Sequence, residues 1–392
     1  MTDKIDYTKK PLNLAEQVAR LKQRGLVFDD ESEATAYLFN VSYYRLRAYT
    51  YPFQENGEDS NHNFTRKDIH FKDIIDLYCF DRRLRSLVFN AIEKIEVAVR
   101  TKIVQVYAES TGNSHWYDDE ALYRFGYADL MEHINADVKR SNEDFIKHYN
   151  SKYDNPLMPP SWMALEVVSF ATLSRLFQAL KLDNHKEYIT EQFGLKKVAI
   201  LENWLHAISN LRNCCAHHSR VWNRRFMVSV TLPYNTLYPF MDRTTIGQIR
   251  TNKLFAILSC IAYILDIISP GSDFKKNIKK LLKSDCRLLE LKDMGFPQYW
   301  QSIPIWREKK QTLRFLRYKI VYSRELGLNP DKLGKIFAIF PILPTFVHEL
   351  LETMQSSVTR SRTSIAKSLP ASYKLYIFTL YSENYIKTYC SI

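Results

Sequence analysis

A long amphipathic run from residue 71 to residue 109 constrains the fold more than any other feature of the sequence. Its apolar residues recur at three- and four-residue spacing, the period of an α-helix with one buried face. They are Ile74, Leu77, Tyr78, Leu84, Leu87, Val88, Ala91, Ile95 and Val99. Gly112 and Asn113 then mark the end of the helix. A helix of this length has to pack its apolar face on other helices, so the run predicts a helical bundle.

The composition points the same way. The 392 residues include only 10 Gly and 14 Pro, and 46% are hydrophobic. Few tight turns and a large core favour long helices over a sandwich or a doubly wound sheet. Further helical patterns cover residues 127–149, 162–180, 198–215 and 252–268, and alternation at residues 227–232 indicates a short extended piece. We therefore predict an all-α protein.

The chain divides into three predicted modules. A polar stretch at residues 54–63 separates a small N-terminal helical module, residues 1–65, from a central bundle, residues 66–269. Beyond Ser269-Pro270-Gly271 the composition becomes basic, and residues 270–392 form a predicted C-terminal helical module.

The positive charge is concentrated in that last module. The chain has a net charge of +12, and residues 275–392 carry 21 Lys and Arg against 9 Asp and Glu. One predicted helix there is rich in lysine: Lys275, Lys276, Lys279, Lys280 and Lys283. Such a surface attracts polyanions, and RNA is the first candidate; a solvated basic surface is the alternative.

The stretch from Asn210 to Arg220 carries the most suggestive chemistry. It places Arg212, Asn213, His217 and His218 close together, and the chain has no Asp or Glu from Asn203 through Met241. An arginine clamps phosphate oxygens through its planar fork, and a histidine transfers protons near neutral pH. A phosphodiester is therefore the expected substrate.

The spacing of Arg212 and His217 raises a geometric problem. On a straight helix, side chains five residues apart point about 140° away from each other. Either the helix breaks near Cys214, or two copies of the chain build the site across a two-fold axis. A capping or core role for His217 is a further alternative.

Other charged residues have two interpretations each. Glu96 and Arg100 are four residues apart, so they form either a surface ion pair or an inward-facing pair that sets the geometry of Arg212 and His217. The run Tyr43-Tyr44-Arg45-Leu46-Arg47 mixes rings with guanidiniums. It can stack on unpaired bases through Arg45 and Arg47, or simply pack on the next helix.

Several classes of site and location are disfavoured. Adjacent cysteines and histidines at 214, 215, 217 and 218 lack the spacing of zinc ligands, and a cysteine nucleophile is disfavoured too. Because the sequence shows no Gly-rich phosphate loop and no paired Asp site, we expect neither metal nor cofactor. The run Leu254–Ile268 is too short to span a membrane and contains Asp266. Six scattered cysteines and no signal peptide predict a cytoplasmic protein.

Four stretches resemble the Abi-like abortive-infection proteins of the AbiD/AbiF type. They are Ser42–Tyr49, Ile92–Lys102, Pro160–Glu166 and Leu211–His217, and the resemblance covers about residues 10–265. That family is similar to HEPN proteins, whose signature of Arg, a polar residue and His fits Arg212, Asn213 and His217. The resemblance implies a HEPN-like bundle and metal-independent RNA cleavage by a homodimer with a composite site. It also implies restraint by a structured noncoding RNA in some members.

Two functions are therefore expected from the sequence. The first is an endoribonuclease toxin of phage defence, which would leave 2′,3′-cyclic phosphate and 5′-hydroxyl ends. His217 would be its general acid or base, Arg212 its charge stabiliser, and Asn213 would orient the motif. Glu96, Arg100 and His218 would support them. The alternative is a non-catalytic RNA-binding scaffold for a small RNA.

Overall fold

The long amphipathic run forms a single helix, α4 (Phe71–Thr111), in a computed structural model that describes residues 6–8, 10–57 and 60–307. Leu77, Leu84, Val88 and Ile95 on its apolar stripe are completely buried. The helix ends at Gly112, whose φ of 63° is a left-handed conformation that glycine adopts without strain. The predicted helix is therefore confirmed, two residues longer at its end.

The remaining helices of the described residues follow in chain order. They are α1 (Leu14–Gln23), α2 (Glu31–Val41), α3 (Tyr43–Thr50), α5 (Tyr127–Arg140), α6 (Asp144–Lys152), α7 (Ser161–Ala164), α8 (Phe170–Ala179), α9 (Asn184–Gln192), α10 (Val198–Ala216), α11 (Arg243–Gln248), α12 (Leu254–Ile268) and α13 (Phe274–Leu281). Short 3₁₀ turns occur between them and after α13. No strand occurs among these residues, which confirms the predicted all-α fold.

Helix α4 is the central element of the bundle. Helices α3, α9, α10, α12 and α13 all pack against it, and α10 also packs on α8 and α12. Every residue of α12 from Leu254 to Leu265 is buried, so its prediction as a core helix is confirmed. Across the described part of the chain, no helix has the length and apolarity that a membrane crossing requires.

Two predicted helical segments are interrupted. Residues 162–180 split into α7 and α8, because the carbonyl oxygens of Leu165 and Val168 accept hydrogen bonds from Arg100 instead of from a continuing helix. Ser169 then caps the N-terminus of α8, its Oγ accepting from the amide of Thr172 at 3.1 Å. Residues 127–149 split at an extended Ser141. The extended piece predicted at 227–232 is irregular and joins no sheet.

The described residues belong to one compact unit. Helices α1 to α3 pack on one another and, through α3, on α4, while α13 returns to α4 and residues 304–306 pack on α12. The division into modules at residues 65 and 269 remains a prediction. Residues 308–392, most of the predicted basic module, lie outside the described residues.

Candidate functional site at the end of α10

The motif stretch forms the last turn of α10 and the bend that follows it. The amide of Ser219 donates to the carbonyl of Cys214 at 2.8 Å, and the amide of His218 donates to that of Cys215 at 3.1 Å. These two bonds define a Schellman motif, in which one residue adopts the left-handed conformation. His218 occupies that position, with a φ of 56°. The bend therefore leaves both histidines exposed at the end of the helix.

The helix continues without a break through Ala216, and His217 is its C-terminal cap residue. The expected alternative of a break near Cys214 is therefore wrong. A role for His217 in the core is also wrong, because its side chain is exposed. Arg212 and His217 point in different directions from one unbroken helix end. The two-copy alternative stays a prediction.

Arg212 is held on two sides by α4. Its Cζ lies 5.6 Å from the centre of the Phe89 ring, and its Nε lies 3.7 Å from Oε2 of Glu96. That Nε is buried and has no hydrogen-bond partner, although 31% of the side chain remains exposed. These contacts orient the guanidinium and leave N–H groups that can still donate hydrogen bonds, as an arginine that binds an anion requires.

Glu96 is shared between two arginines. Its Oε1 accepts a hydrogen bond from Nη2 of Arg100 at 3.0 Å, while its Oε2 faces Arg212. Arg100 is buried and also donates to the carbonyls of Leu165 and Val168. A second carboxylate is near, because Oε1 of Glu166 lies 3.9 Å from Nη1 of Arg100, although 56% of the Glu166 side chain is exposed. The pair faces inward rather than lying on the surface, and Glu96 contacts Arg212, while its role in setting the geometry of Arg212 and His217 stays a prediction.

Arg45 joins the histidine turn from α3. Its Nη1 donates to the carbonyl oxygen of His218 at 2.8 Å, and its side chain is otherwise exposed. The structure therefore brings Arg45 to the motif although 173 positions separate it from His218. Tyr44, beside Arg45 in the chain, is 85% exposed and presents a ring to solvent.

A buried carboxylate fixes the chain just beyond the histidines. Asp81 of α4 is fully buried and accepts from the amides of Trp222 at 2.7 Å and Val221 at 3.3 Å. It also accepts from the hydroxyl of Tyr49 at 2.6 Å and pairs with Arg85. Burial raises the pKa of Asp81, whereas Arg85, Tyr49 and the two amides oppose that effect. This network ties α3, α4 and the histidine turn together.

Arg47 lies apart from the motif. Its guanidinium is 3.4 Å from Nε2 of His62 and sits over the ring of Tyr51 at 5.8 Å. Two positions apart on α3, Arg45 and Arg47 point to opposite sides of the helix. The structure therefore brings only Arg45 to the histidine turn.

The predicted RNA-binding lysines differ in their exposure. Lys276, Lys280 and Lys283 are exposed and Lys279 is half-buried. Lys275 is buried instead, where its Nζ is 2.7 Å from Asp266 and 3.0 Å from the carbonyl of Ile305. Its position follows from the amphipathic pattern, since Lys275 falls on the face of α13 that packs inward. Lys275 therefore helps to hold α13 in place.

The cysteines of the motif are not arranged as a nucleophile or as metal ligands. Cys215 is buried, and burial raises the pKa of its thiol to about 12. Among residues 6–8, 10–57 and 60–307, no group of three or more His, Cys, Asp or Glu side chains is placed to hold a metal ion.

Sequence reasoning missed Asp81, Arg85, Phe89 and Arg220. Asp81 and Arg85 carry a detectable signal, because two opposite charges four apart interrupt an apolar helix stripe. Such a pair on the buried face predicts a buried ion pair. Phe89 gives no comparable signal, since a single exposed ring on α4 looks like any surface residue.

The fold and the site define a helical-bundle protein with a cationic, histidine-bearing helix end. Residues 36–223 match the profile of the family described as Abi-like protein, so this part of the chain is similar to that family. The matched stretch includes α3, α4, α10 and the histidine turn. No curated protein and no solved structure matches the chain.

Proposed function

We propose that this chain is a metal-independent endoribonuclease of the HEPN type that acts in abortive infection, in the cytoplasm of a cell attacked by phage. The description of the matching family supports the defence role. The arrangement of Arg212 supports the chemistry: a guanidinium beside Glu96, with a sheltered Nε that makes no hydrogen bond, precedes two exposed histidines by five and six residues.

The reaction uses the substrate's own nucleophile. The 2′-hydroxyl oxygen of one nucleotide attacks the adjacent phosphorus, and the bond from phosphorus to the 5′ oxygen of the next nucleotide breaks. His217 accepts the proton of the 2′-hydroxyl or donates a proton to the departing 5′ oxygen. Arg212 stabilises the negative charge that builds up on the phosphorane oxygens, and Asn213 orients the motif. The products are a 2′,3′-cyclic phosphate and a 5′-hydroxyl.

A homodimer would supply a complete set of groups. Proton removal and proton donation are fastest with two titratable groups, and a two-fold axis near the end of α10 would pair His217 with its copy. The divergent directions of Arg212 and His217 support that arrangement. Light scattering should then show a mass near twice 46.3 kDa. A strict monomer that still cleaves RNA overturns the composite site.

The deciding experiment measures RNA cleavage by three variants of the purified full chain. Arg212→Ala should lower the rate by about 10²–10³, as loss of a charge-stabilising donor does, and His217→Ala by about 10²–10⁴. His206→Ala is the matched control, because His206 is exposed on the same helix away from the motif. Its rate should equal that of the wild type.

The products and the substrate provide independent checks. A substrate with a 2′-deoxy nucleotide at the cleaved position should resist cleavage, because it lacks the nucleophile. EDTA should leave the rate unchanged. Full activity of His217→Ala, cleavage of the deoxy substrate, or strong inhibition by EDTA each refutes the proposed mechanism.

A second candidate is a non-catalytic scaffold that binds a structured noncoding RNA. The exposed lysines of α13 and its following turn support it, since they would meet phosphates whether or not cleavage occurs. The same surface could hold a restraining RNA while a target enters beside Arg212. RNA that copurifies with the catalytically silent protein, with no cleavage by the wild type, favours the scaffold.

A further inference from the structure

A second group of cations lies just beyond the histidine turn. The loop after α10 contributes Arg220, Arg224 and Arg225, and the segment before α12 contributes Arg250 and Lys253. Backbone bonds hold the two segments together: the amide of Phe226 donates to the carbonyl of Asn252 at 2.9 Å, and that of Val230 to Thr251 at 3.0 Å. The cations are therefore displayed on a fixed scaffold.

These cations find neutral partners rather than carboxylates. Nζ of Lys253 donates to the side-chain oxygen of Asn223 at 3.0 Å, and Arg224 to the carbonyl of Arg220 at 3.3 Å. Arg220 and Arg250 each donate to a backbone carbonyl, of Ala48 and Lys292 respectively. Within the described ranges, none of the five cations forms an ion pair, although the charge of Asp293 acts on Lys253 and Arg250 and that of Asp81 acts on Arg220.

Burial and neighbouring positive charges both lower the pKa of two members of the group, the buried Lys253 and the half-buried Arg220. Lys253 is 92% buried, and burial lowers its pKa, as do the charges of Arg250, Arg225 and Arg220. Burial likewise lowers the pKa of Arg220, and Arg224 adds to the effect, while Asp81 and Tyr49 oppose it. The five cations outnumber the two carboxylates that act on them, Asp293 and Asp81, and an anion at this place would reduce their repulsion.

The cation group is continuous with the motif. Arg45 binds the carbonyl of His218 and Arg220 binds that of Ala48, so α3 holds both ends of the short loop. The chain is free of Asp and Glu from residue 203 to residue 241, so no acidic residue of this stretch interrupts the positive surface. The exposed ring of Tyr44 lies beside Arg45 in α3 and is available for stacking on an unpaired base.

We propose that Arg220, Arg224, Arg225, Arg250 and Lys253 form a second phosphate-binding site, which holds a single-stranded RNA several nucleotides away from the bond beside His217. The inference rests on the proposed function and specifies its substrate as an extended single strand. Arginine forks suit phosphodiester oxygens, and the stacking ring at Tyr44 suits unpaired bases rather than a duplex.

The test measures binding in a background that cannot cut. Arg224→Gln/Arg225→Gln is introduced into the full-length His217→Ala protein; Arg225 is exposed and Arg224 half-buried, so the core is untouched. The probes are a labelled single-stranded RNA of roughly 12 nucleotides, a trinucleotide, and a duplex of the longer sequence. The matched control is Lys139→Gln/Arg140→Gln, which removes two exposed charges from α5.

The longer single strand should bind the variant about tenfold more weakly, and the log–log salt slope should become shallower by about 1.4, or about 0.7 for each lost phosphate contact. Binding of the trinucleotide, which is too short to reach both sites, should not change. The α5 control should match its parent. An unchanged slope, an equal loss in the control, or an equal loss for the trinucleotide overturns the second site, and tighter binding of the duplex overturns the single-strand assignment.

Failure of the function and failure of this inference remain distinguishable. If the wild type never cleaves RNA while Arg224→Gln/Arg225→Gln still weakens binding of the longer strand, the nuclease is refuted and the phosphate site stands. If cleavage needs His217 but the affinity for the longer strand is the same with and without Arg224 and Arg225, the nuclease stands and the second phosphate site is refuted.

Discussion

Oε2 of Glu96 lies 3.7 Å from Nε of Arg212, while Oε1 of the same carboxylate accepts a hydrogen bond from Arg100. The anchoring of Arg100 to two backbone carbonyls therefore reaches Arg212 through a single side chain. Arg212 has rotational freedom on its own, and this carboxylate restricts it to one side of α4. Glu96 thus acts as a positioning residue in the proposed reaction.

Replacing Glu96 with Gln should impair both the geometry of the site and the stability of the protein. The carboxylate is 14% exposed and Arg100 is 10% exposed, so losing its charge leaves a sheltered guanidinium with only the exposed Glu166, 3.9 Å away, as a counter-ion. We expect the free energy of unfolding to fall by about 1–3 kcal/mol and the cleavage rate at saturating RNA to fall about tenfold. Urea denaturation and kcat measure the two effects. Glu93→Gln, exposed on the same helix, should change neither.

Asp81→Asn should destabilise the protein more than any surface change. The Asp81–Arg85 pair is almost completely buried, and removing one partner of such a pair costs about 3–5 kcal/mol. Asp76→Asn is the control, because its partner Lys72 is 71% exposed and such pairs contribute about 0.5 kcal/mol or less. Equal effects of the two variants on denaturant midpoints would show that Asp81 does not hold the histidine turn.

Much of the fold could be predicted because helix periodicity is written locally in the sequence. The stripe of α4 and the almost entirely apolar sequence of α12 each identify a helix without knowledge of its partners. The break between α7 and α8 could not be predicted in this way. It depends on Arg100, distant in sequence, whose guanidinium satisfies the carbonyls of Leu165 and Val168.

The site was only partly predictable for the same reason. Arg212, Asn213 and His217 lie within six consecutive residues, so their residue types alone indicate chemistry. The approach of Arg45 to His218 depends on how α3 packs, which no local pattern encodes. Lys275 was wrongly grouped with the RNA-binding lysines. Its charge alone suggested an exposed position, but it falls on the face of α13 that is buried.

We expect His218 to stabilise the turn after α10 and to take no part in proton transfer. Its left-handed backbone suits glycine, so His218→Gly should keep the free energy of unfolding within about 1 kcal/mol and keep most of the cleavage rate. His218→Val should destabilise by about 1–2 kcal/mol, since a β-branched residue resists positive φ. Denaturation and cleavage assays of both variants decide the matter. Complete loss of cleavage in His218→Gly would show that the imidazole of His218 takes part in the reaction.

Acid should weaken the attachment of residues 283–290 to the start of α4. The Arg66 guanidinium, helped by Arg287, lowers the pKa of Asp68 to about 2. Although burial opposes it, hydrogen bonds from Arg287 and the amide of His70 lower the pKa of Asp73. Carboxyls with lowered pKa stabilise the fold above their unfolded pKa near 4, and that contribution disappears as the pH falls toward 2.

Arg287→Gln should therefore flatten the acid branch of the stability profile between about pH 4 and pH 2, while near neutral pH the variant is slightly less stable. Urea midpoints across this range measure the effect. Arg83→Gln removes an exposed charge from α4, away from Asp68 and Asp73 in the sequence, and serves as the control. Profiles of identical slope for wild type and Arg287→Gln would contradict the attachment.

The exposed lysines near α13 should contact RNA through phosphates alone. Lys276, Lys280 and Lys283 are the members to change, because Lys275 is buried against Asp266 and its loss would disturb the core. Replacing the three with Gln should weaken binding of every RNA sequence alike and make the log–log salt slope shallower by about 2 on single strands. Arg212→Ala should lose cleavage while its affinity hardly changes, since one contact among many carries a small share of binding.

A salt titration by filter binding measures these slopes, and a matched triple variant controls for the loss of charge itself. Lys139, Lys147 and Lys152 are equally exposed but lie on α5 and α6. Changing them to Gln lowers the net charge by the same amount without touching α13. A slope that changes only in the α13 variant locates phosphate contacts on that surface. Equal slopes in wild type and the α13 variant would show that these lysines form a solvated face, leaving Arg45 and the cations after the histidine turn to hold the RNA.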